Sequence, residues 1–395
     1  MTKTRATTLL LVVLLLTFSV SAQEPPTSGQ RLALYSKPAV VRVFGAYIAE
    51  FAFRDRSFRV SIGGVGSGFF LNPDGYIATN AHVVGEIQGG EEKARQSLAI
   101  EAVKQVGTAY LGDYRRLTSD QARDVLANLQ LRSIKKINFV QLTNGDFLPY
   151  EIKAFGAPVG QGKDCAVLKI EAKNTPTLQI GDSTKVQLQD RIFAFGYPGA
   201  VDTLADFGVL DQKSRLEASI TDGTVSALKN TNDGAPVLQV SVPITHGNSG
   251  GPALNEKGEV IGLATFGSIS SDGQEVQGFN FLVPSSTLME FVRQAGAQNI
   301  SGTVDETYRE GLELYWDRQY TAAIGKFNDV KLLYPPHSEV EQLISQASKF
   351  KAEGKEKSLF FSPILIIAVA AGGLIFLLLI VGVGILIIVK RPKAT

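Results

Sequence analysis

Cysteine and tryptophan each occur once in these 395 residues, methionine twice and histidine three times. A lone cysteine, Cys165, excludes an intrachain disulfide. Three scattered histidines with no second thiol leave no cluster at metal-ligand spacing, so no metal and no organic cofactor is expected. Lysine and arginine, 39 in all, almost balance 38 aspartates and glutamates, and a net charge of +1 offers no electrostatic case for nucleic acid. Charge is missing locally as well, with none between Lys357 and Lys390.

The ends of the chain carry the long apolar runs. Residues 1–22 combine Lys3 and Arg5, an apolar core of twelve residues from Leu9 to Val20, and small residues before Gln23, which is the pattern of a cleavable signal peptide. Twelve residues are short for a membrane span, which needs about 20, so an uncleaved anchor is disfavoured. Residues 364–389 are 26 predominantly apolar residues, about 39 Å as a helix, enough to cross a bilayer with some tilt. Lys349, Lys351, Lys355 and Lys357 flank this run on one side and Lys390, Arg391 and Lys393 on the other, so charge alone does not orient it. Export of the N-terminus does. The expectation is a single-pass membrane protein with a transmembrane helix at 360–389, residues 390–395 in the cytoplasm and the rest outside it.

Between the ends the pattern is mainly β. Ala39-Val40-Val41-Arg42-Val43-Phe44, Arg191-Ile192-Phe193-Ala194-Phe195, Val237-Leu238-Gln239-Val240-Ser241-Val242 and Val260-Ile261-Gly262-Leu263-Ala264 are short apolar or alternating runs set apart by Gly, Pro, Asn and Asp. Many short strands so punctuated argue for a barrel or a sandwich. Ser285-Ser286 then caps an expected helix over 287–297.

Three segments carry chemistry: Thr79-Asn80-Ala81-His82, Lys163-Asp164-Cys165-Ala166-Val167-Leu168 and Gly247-Asn248-Ser249-Gly250-Gly251-Pro252. A serine hydroxyl needs a base to take its proton as it attacks a carbonyl, and a neutral imidazole suits that task. His82 is the candidate base, Asp164 the carboxylate that orients it and Ser249 the nucleophile. Backbone N–H groups in a tight glycine turn would stabilise the negative charge that develops on the carbonyl oxygen, and Gly247 and Ser249 are placed to supply them. Each segment alone also reads as an ordinary strand-end histidine or glycine turn. Their joint occurrence favours the chemical reading. His246 reads as a turn or pocket-rim residue, His337 as solvent exposed, and Cys165 as a small core residue.

These segments, with Gly66-Ser67-Gly68-Phe69-Phe70, Asn72-Pro73-Asp74-Gly75-Tyr76-Ile77, Val140-Gln141-Leu142-Thr143-Asn144-Gly145, Gly181-Asp182-Ser183, Gly196-Tyr197-Pro198-Gly199 and Val260-Ile261-Gly262, resemble in order the HtrA/Deg branch of the trypsin-like serine proteases over residues 34–297. The resemblance implies two six-stranded antiparallel β-barrels of the chymotrypsin-like fold. It implies His82, Asp164 and Ser249 as the catalytic triad, Gly247 and Ser249 as oxyanion-hole donors, polypeptide substrates and a homotrimer. It also implies a substrate pocket between Ile244-Thr245 and Ala264-Thr265. Neither wall carries a carboxylate, and Ile244 takes up depth, so small aliphatic side chains are the expected fit.

The chain is expected to depart from that family in two places. No PDZ domain is read after the protease-like stretch. Gly311, Tyr320, Ala323, Phe327 and Pro335 instead fall at the spacing of a tetratricopeptide-like repeat within 303–356, read either as a peptide-binding module or as a helical stalk packed on itself. A helical insertion is expected at about 91–136, with a helix near 92–106 and a capping box at Thr118-Ser119-Asp120-Gln121; both a lid and a passive decoration fit. Residues 23–33 read as a linker. Two functions are carried forward: a membrane-anchored extracytoplasmic serine endopeptidase, and a catalytically silent peptide-binding scaffold on the same fold.

Overall fold

The computed structural model describes residues 26–158, 160–199, 211–269 and 275–357. The expected signal peptide and membrane span lie outside the described residues. No helix among those described is long and apolar enough to cross a membrane.

Twelve strands close into two six-stranded barrels, every strand pair antiparallel. The first comprises β1 (Val40–Phe53), β2 (Arg56–Phe70), β3 (Tyr76–Thr79), β4 (Gln130–Gln141), β5 (Phe147–Phe155) and β6 (Ala166–Ile170). The second comprises β7 (Arg191–Gly196), β8 (Ser219–Asn230), β9 (Pro236–Val240), β10 (Pro252–Leu254), β11 (Val260–Ile269) and β12 (Glu275–Pro284). The strand patterns read from the sequence fall on β1, β7, β9 and β11. The outer half of β2 alternates between exposed and buried residues, as a strand with one wet face must, whereas residues 66–70 are buried without a break. That stretch lies between the barrels, so both of its faces are covered. Phe69, Phe193, Phe195, Leu254 and Leu263 form one apolar cluster spanning the two barrels.

Helices decorate this frame. Thr27 caps α1 (Ser28–Ser36) in a capping box with Gln30, and α1 buries Leu32. The stretch read as a linker thus becomes a helix, because its apolar face has a surface to cover. Helix α2 (Ala81–Leu111) starts directly after β3 and is broken at Gly90, whose φ of 81° and ψ of 169° are not helical. Ala94, Leu98, Ala102 and Val106, four residues apart, bury one stripe of its second segment, with Ala94, Leu98 and Ala102 in one cluster with Tyr47 and Phe51 of β1. Thr118 and Gln121 form the expected capping box of α3 (Ser119–Asn128). Residues 130–136, assigned to the insertion from sequence, belong to β4 and pair with β1. Helix α4 (Ser285–Gln294) begins at the serines expected to cap it. Ser285 Oγ instead donates to Gly181 O at 2.7 Å, and Ser286 N–H donates to Ser183 Oγ at 3.0 Å.

The C-terminal helices α5 (Thr303–Trp316), α6 (Tyr320–Leu333) and α7 (Val340–Ala352) share a core of Tyr308, Leu312, Tyr320, Ala323, Phe327 and Val330. A Cβ at Gly311 would stand 2.6 Å from a Phe327 ring carbon, which explains a glycine inside a helix. The region packs on itself and also reaches the barrels. Asp305, buried, accepts from the Thr177 N–H at 2.8 Å and the Thr177 hydroxyl at 2.7 Å, and the Tyr308 hydroxyl donates to Leu34 O at 3.1 Å. Lys37 bridges Glu217 at 3.0 Å and Glu339 at 3.3 Å. The helices are therefore docked on the two-barrel frame.

His337, expected at the surface, lies in this docked region with 4% exposure. Its ring stacks edge-on against Tyr308 with centroids 4.3 Å apart, and its Nδ1 accepts from the Glu339 N–H at 3.3 Å. Burial holds its pKa down to about 3 from the ordinary 6.5. The folded chain thus refuses a proton that the unfolded chain binds between those values. The neutral ring costs nothing above pH 6.5, and stability is lost as pH falls from there toward 3. The urea midpoint should therefore drop more steeply between pH 7 and pH 4 in the wild type than in His337→Gln. Equal slopes would show that this ring carries no acid penalty.

Candidate active site

Strand register brings two of the three chemical segments together. β3 pairs with β6 so that Thr79 faces Ala166, which leaves His82, three residues past Thr79, beside Asp164, two residues before Ala166. His82 sits in the first turn of α2, whose initial N–H groups have no partner within the helix. The residue before the helix, Asn80, makes no side-chain cap; its amide donates to Asp164 O at 2.8 Å. Asp164 caps the helix in its place, Oδ1 accepting the His82 N–H at 2.9 Å. Its Oδ2 accepts from His82 Nδ1 at 2.7 Å. A carboxylate can only accept, so the imidazole carries its proton on Nδ1 and turns the Nε2 lone pair outward. The Asp164 side chain is 1% exposed and that of His82 37%.

Ser249 comes from the other barrel, in the turn leading to β10. Gly247 and Gly250 there have φ of 95° and 87°, a region that favours glycine. A Cβ at Gly250 would lie 2.2 Å from Ser67 O. The turn is tied by the Asn248 N–H to Thr245 O at 3.0 Å and the Gly250 N–H to Ala264 O at 2.7 Å. Among the described residues, the Gly247 and Ser249 N–H groups have no hydrogen-bond acceptor. Ser249 Oγ donates to Thr265 O at 2.8 Å and makes no hydrogen bond to His82.

Thr265, on β11, also donates its hydroxyl to Asp164 Oδ2. Thr265 is also the residue expected in the pocket wall, and its hydroxyl is committed to the carboxylate. Ile244 and Ala264, assigned to the same pocket, are 3% and 0% exposed and share the apolar cluster of the second barrel with Val242 and Leu282. Thr245 beside them is half-buried, and His246 at the turn is exposed. Cys165 is wholly buried next to Asp164, and burial pushes its thiol pKa well up. Asn280, missed from sequence, donates to Val242 O at 2.7 Å and so fixes the strand that leads into Ile244. A buried amide within a strand was the one signal that could have found it.

A family model described as "Trypsin-like peptidase domain" matches residues 66–263. The chain belongs to that family. Its paired barrels carry that peptidase domain. A protein of Halomonas elongata described as "Probable periplasmic serine endoprotease DegP-like" is 30% identical over 58% of this chain and 35% of its own length. A protein of Pseudomonas savastanoi pv. phaseolicola with the same description is 28% identical over 59% of this chain and 35% of its own length. The chain thus spans about a third of the length of these curated relatives. A solved "HtrA-type protease AlgW with decapeptide" is 21% identical, covers 68% of this chain and 67% of its own, and aligns with a TM-score of 0.42.

Thr265→Val keeps the side chain's shape and deletes one donor to a buried carboxylate. Stability by chemical denaturation should fall by about 1.5–3 kcal/mol, the range for a hydrogen bond to a charged group. A change below a few tenths would mean that the Asp164 carboxylate does not depend on that hydroxyl.

Proposed function

We propose that this protein is a membrane-anchored, extracytoplasmic serine endopeptidase in which His82, Asp164 and Ser249 form the catalytic triad. The observation that carries the reading is the His82–Asp164 pair, its carboxylate buried, standing across the barrel interface from a serine whose turn offers two uncommitted N–H groups. In the resting site Ser249 leans on Thr265 O, so a rotation about its Cα–Cβ bond must bring Oγ to His82 Nε2 before attack. Oγ then bonds to the scissile carbonyl carbon as its proton passes to Nε2. The imidazolium is stabilised by Asp164, and the carbonyl oxygen, now an anion, is held by the N–H groups of Gly247 and Ser249. Collapse breaks the C–N bond, and the Nε2 proton leaves with the amine. Water, deprotonated by the same ring, attacks the acyl-enzyme and releases the acid, returning the proton to Ser249. No cofactor takes part in this sequence.

Substrates are polypeptides of the cell envelope, cut in protein quality control or signalling, and the enzyme acts as a homo-oligomer, a trimer by its resemblance. The expected pocket walls, Ile244-Thr245 and Ala264-Thr265, carry no carboxylate, which suits Val, Ala or Leu before the cut. A fluorophosphonate probe should label Ser249 in the wild type and not in Ser249→Ala, whose kcat on casein should fall by about a millionfold. The cuts mapped by mass spectrometry should follow small aliphatic residues; a majority after Lys or Arg would refute the pocket. A wild type that takes no label would favour the silent scaffold.

The anchor is proposed from residues 360–389 and the secretion from residues 1–22. The full chain should sediment with membranes after a salt wash and begin at Gln23, whereas a chain ended after Glu356 should be exported in soluble form. Sedimentation of the shortened chain, or an N-terminus at Met1, would overturn this topology.

A further inference from the structure

Ser67 lies on β2 of the first barrel, fully buried, and each of its polar atoms has a partner. Its N–H donates to Ser249 O at 2.8 Å and its hydroxyl donates to Gly247 O at 2.7 Å. The same hydroxyl accepts from the Tyr197 N–H at 2.9 Å, and its carbonyl accepts from the Thr79 hydroxyl at 2.8 Å. Ser67 therefore grips the carbonyls of the two residues whose N–H groups face the developing charge. Gly247 has no side chain to limit its backbone, so the planes on either side of it need external ties. The peptide before it is held by the Gly199 N–H on His246 O at 2.8 Å, and the peptide after it by the Ser67 hydroxyl at one end and by the Asn248 N–H on Thr245 O at 3.0 Å at the other.

Resting on the assignment of Gly247 and Ser249 above, we infer that Ser67 is a positioning residue for the oxyanion site. Its hydroxyl, supplied by the opposite barrel, keeps the nucleophile turn in the one backbone conformation that aims both N–H groups at the reacting oxygen. Such donors stabilise a transition state only if they are aimed beforehand, because reorienting them during reaction costs what they would contribute. Removing the hydroxyl leaves the plane after Gly247 held only through the Asn248 N–H on Thr245 O, and leaves a buried N–H of Tyr197 and the Gly247 carbonyl without their Ser67 partner. Ser67 itself touches no substrate.

The test uses the full-length chain as wild type, Ser67→Ala and Ser67→Cys. Four readouts are kcat and KM on fluorescein-labelled casein, fluorophosphonate labelling of Ser249, and inhibition by a tripeptide aldehyde ending in valinal and by the matching alcohol. The aldehyde forms an oxyanion on Ser249; the alcohol does not. In Ser67→Ala, kcat should fall by about tenfold to a hundredfold, less than for outright removal of a donor, with KM within about twofold. The aldehyde should weaken by the same factor and the alcohol should bind as before. A fall in kcat of less than about fivefold, or equal weakening of aldehyde and alcohol, overturns the role. If Ser67→Ala does not fold, Ser67→Cys decides alone, since its thiol is a weaker donor at the same point: aldehyde-specific weakening supports the role and wild-type behaviour overturns it. A wild type without label at Ser249 removes the catalytic reading itself, whereas normal labelling with unaffected Ser67 variants removes only the positioning role.

Discussion

The buried carboxylate of Asp164 is the constraint from which the rest of the site follows. A charge this far from water costs several kcal/mol unless donors replace its hydration. Three do so: the His82 main-chain N–H, the His82 ring and the Thr265 hydroxyl. The first two come from the start of α2 in the first barrel and the third from β11 in the second. Asp164 is thus fully satisfied only when the barrels are closed on each other, and the same closure brings Ser249 across from His82. One interaction caps a helix, chooses a tautomer and joins the halves of the domain.

Close backbone approach is the second constraint. The turn bearing Ser249 lies against β2 so tightly that a Cβ at Gly250 would overlap Ser67 O, and one at Gly247 would stand 2.3 Å from Tyr197 O. Main chain packed on main chain offers hydrogen bonds in place of side-chain contacts. That is why a serine of one barrel can hold the carbonyls of the other. The docked C-terminal helices extend the same theme outward, with Asp305, Tyr308 and Glu339 meeting the frame through polar groups withdrawn from water.

Much of this was legible in the residue order. The β-runs at β1, β7, β9 and β11 alternate or are uniformly apolar because a barrel wall has one inner face, and that periodicity is local. The capping box at Thr118 was legible for the same reason, since all its parts lie within four residues. His82, Asp164 and Ser249 could be picked out because a scarce residue type, an acid at the start of an apolar strand and a glycine-flanked serine each leave a local trace. The insertion's end was misjudged, since residues 130–136 are half-exposed in β4 and carry little apolar signal. The helix at residues 28–36 and the docking of the C-terminal helices on the barrels were not legible, because the surfaces they meet lie far away in sequence. His337 was misplaced because two neighbouring prolines suggest a surface turn, and nothing nearby announces Tyr308.

The sequence by itself determined the chemistry on offer and the periodicities that make two barrels, because those depend on residue type and on neighbours a few positions away. Only the tertiary structure decided which groups those residues meet. It turned the Thr265 hydroxyl toward Asp164, gave Ser249 a carbonyl to lean on, made Ser67 a strap between barrels, and drew the C-terminal helices onto the barrels. Each of these contacts joins segments distant in the chain, and their geometry is set by closure and packing, which no local pattern encodes.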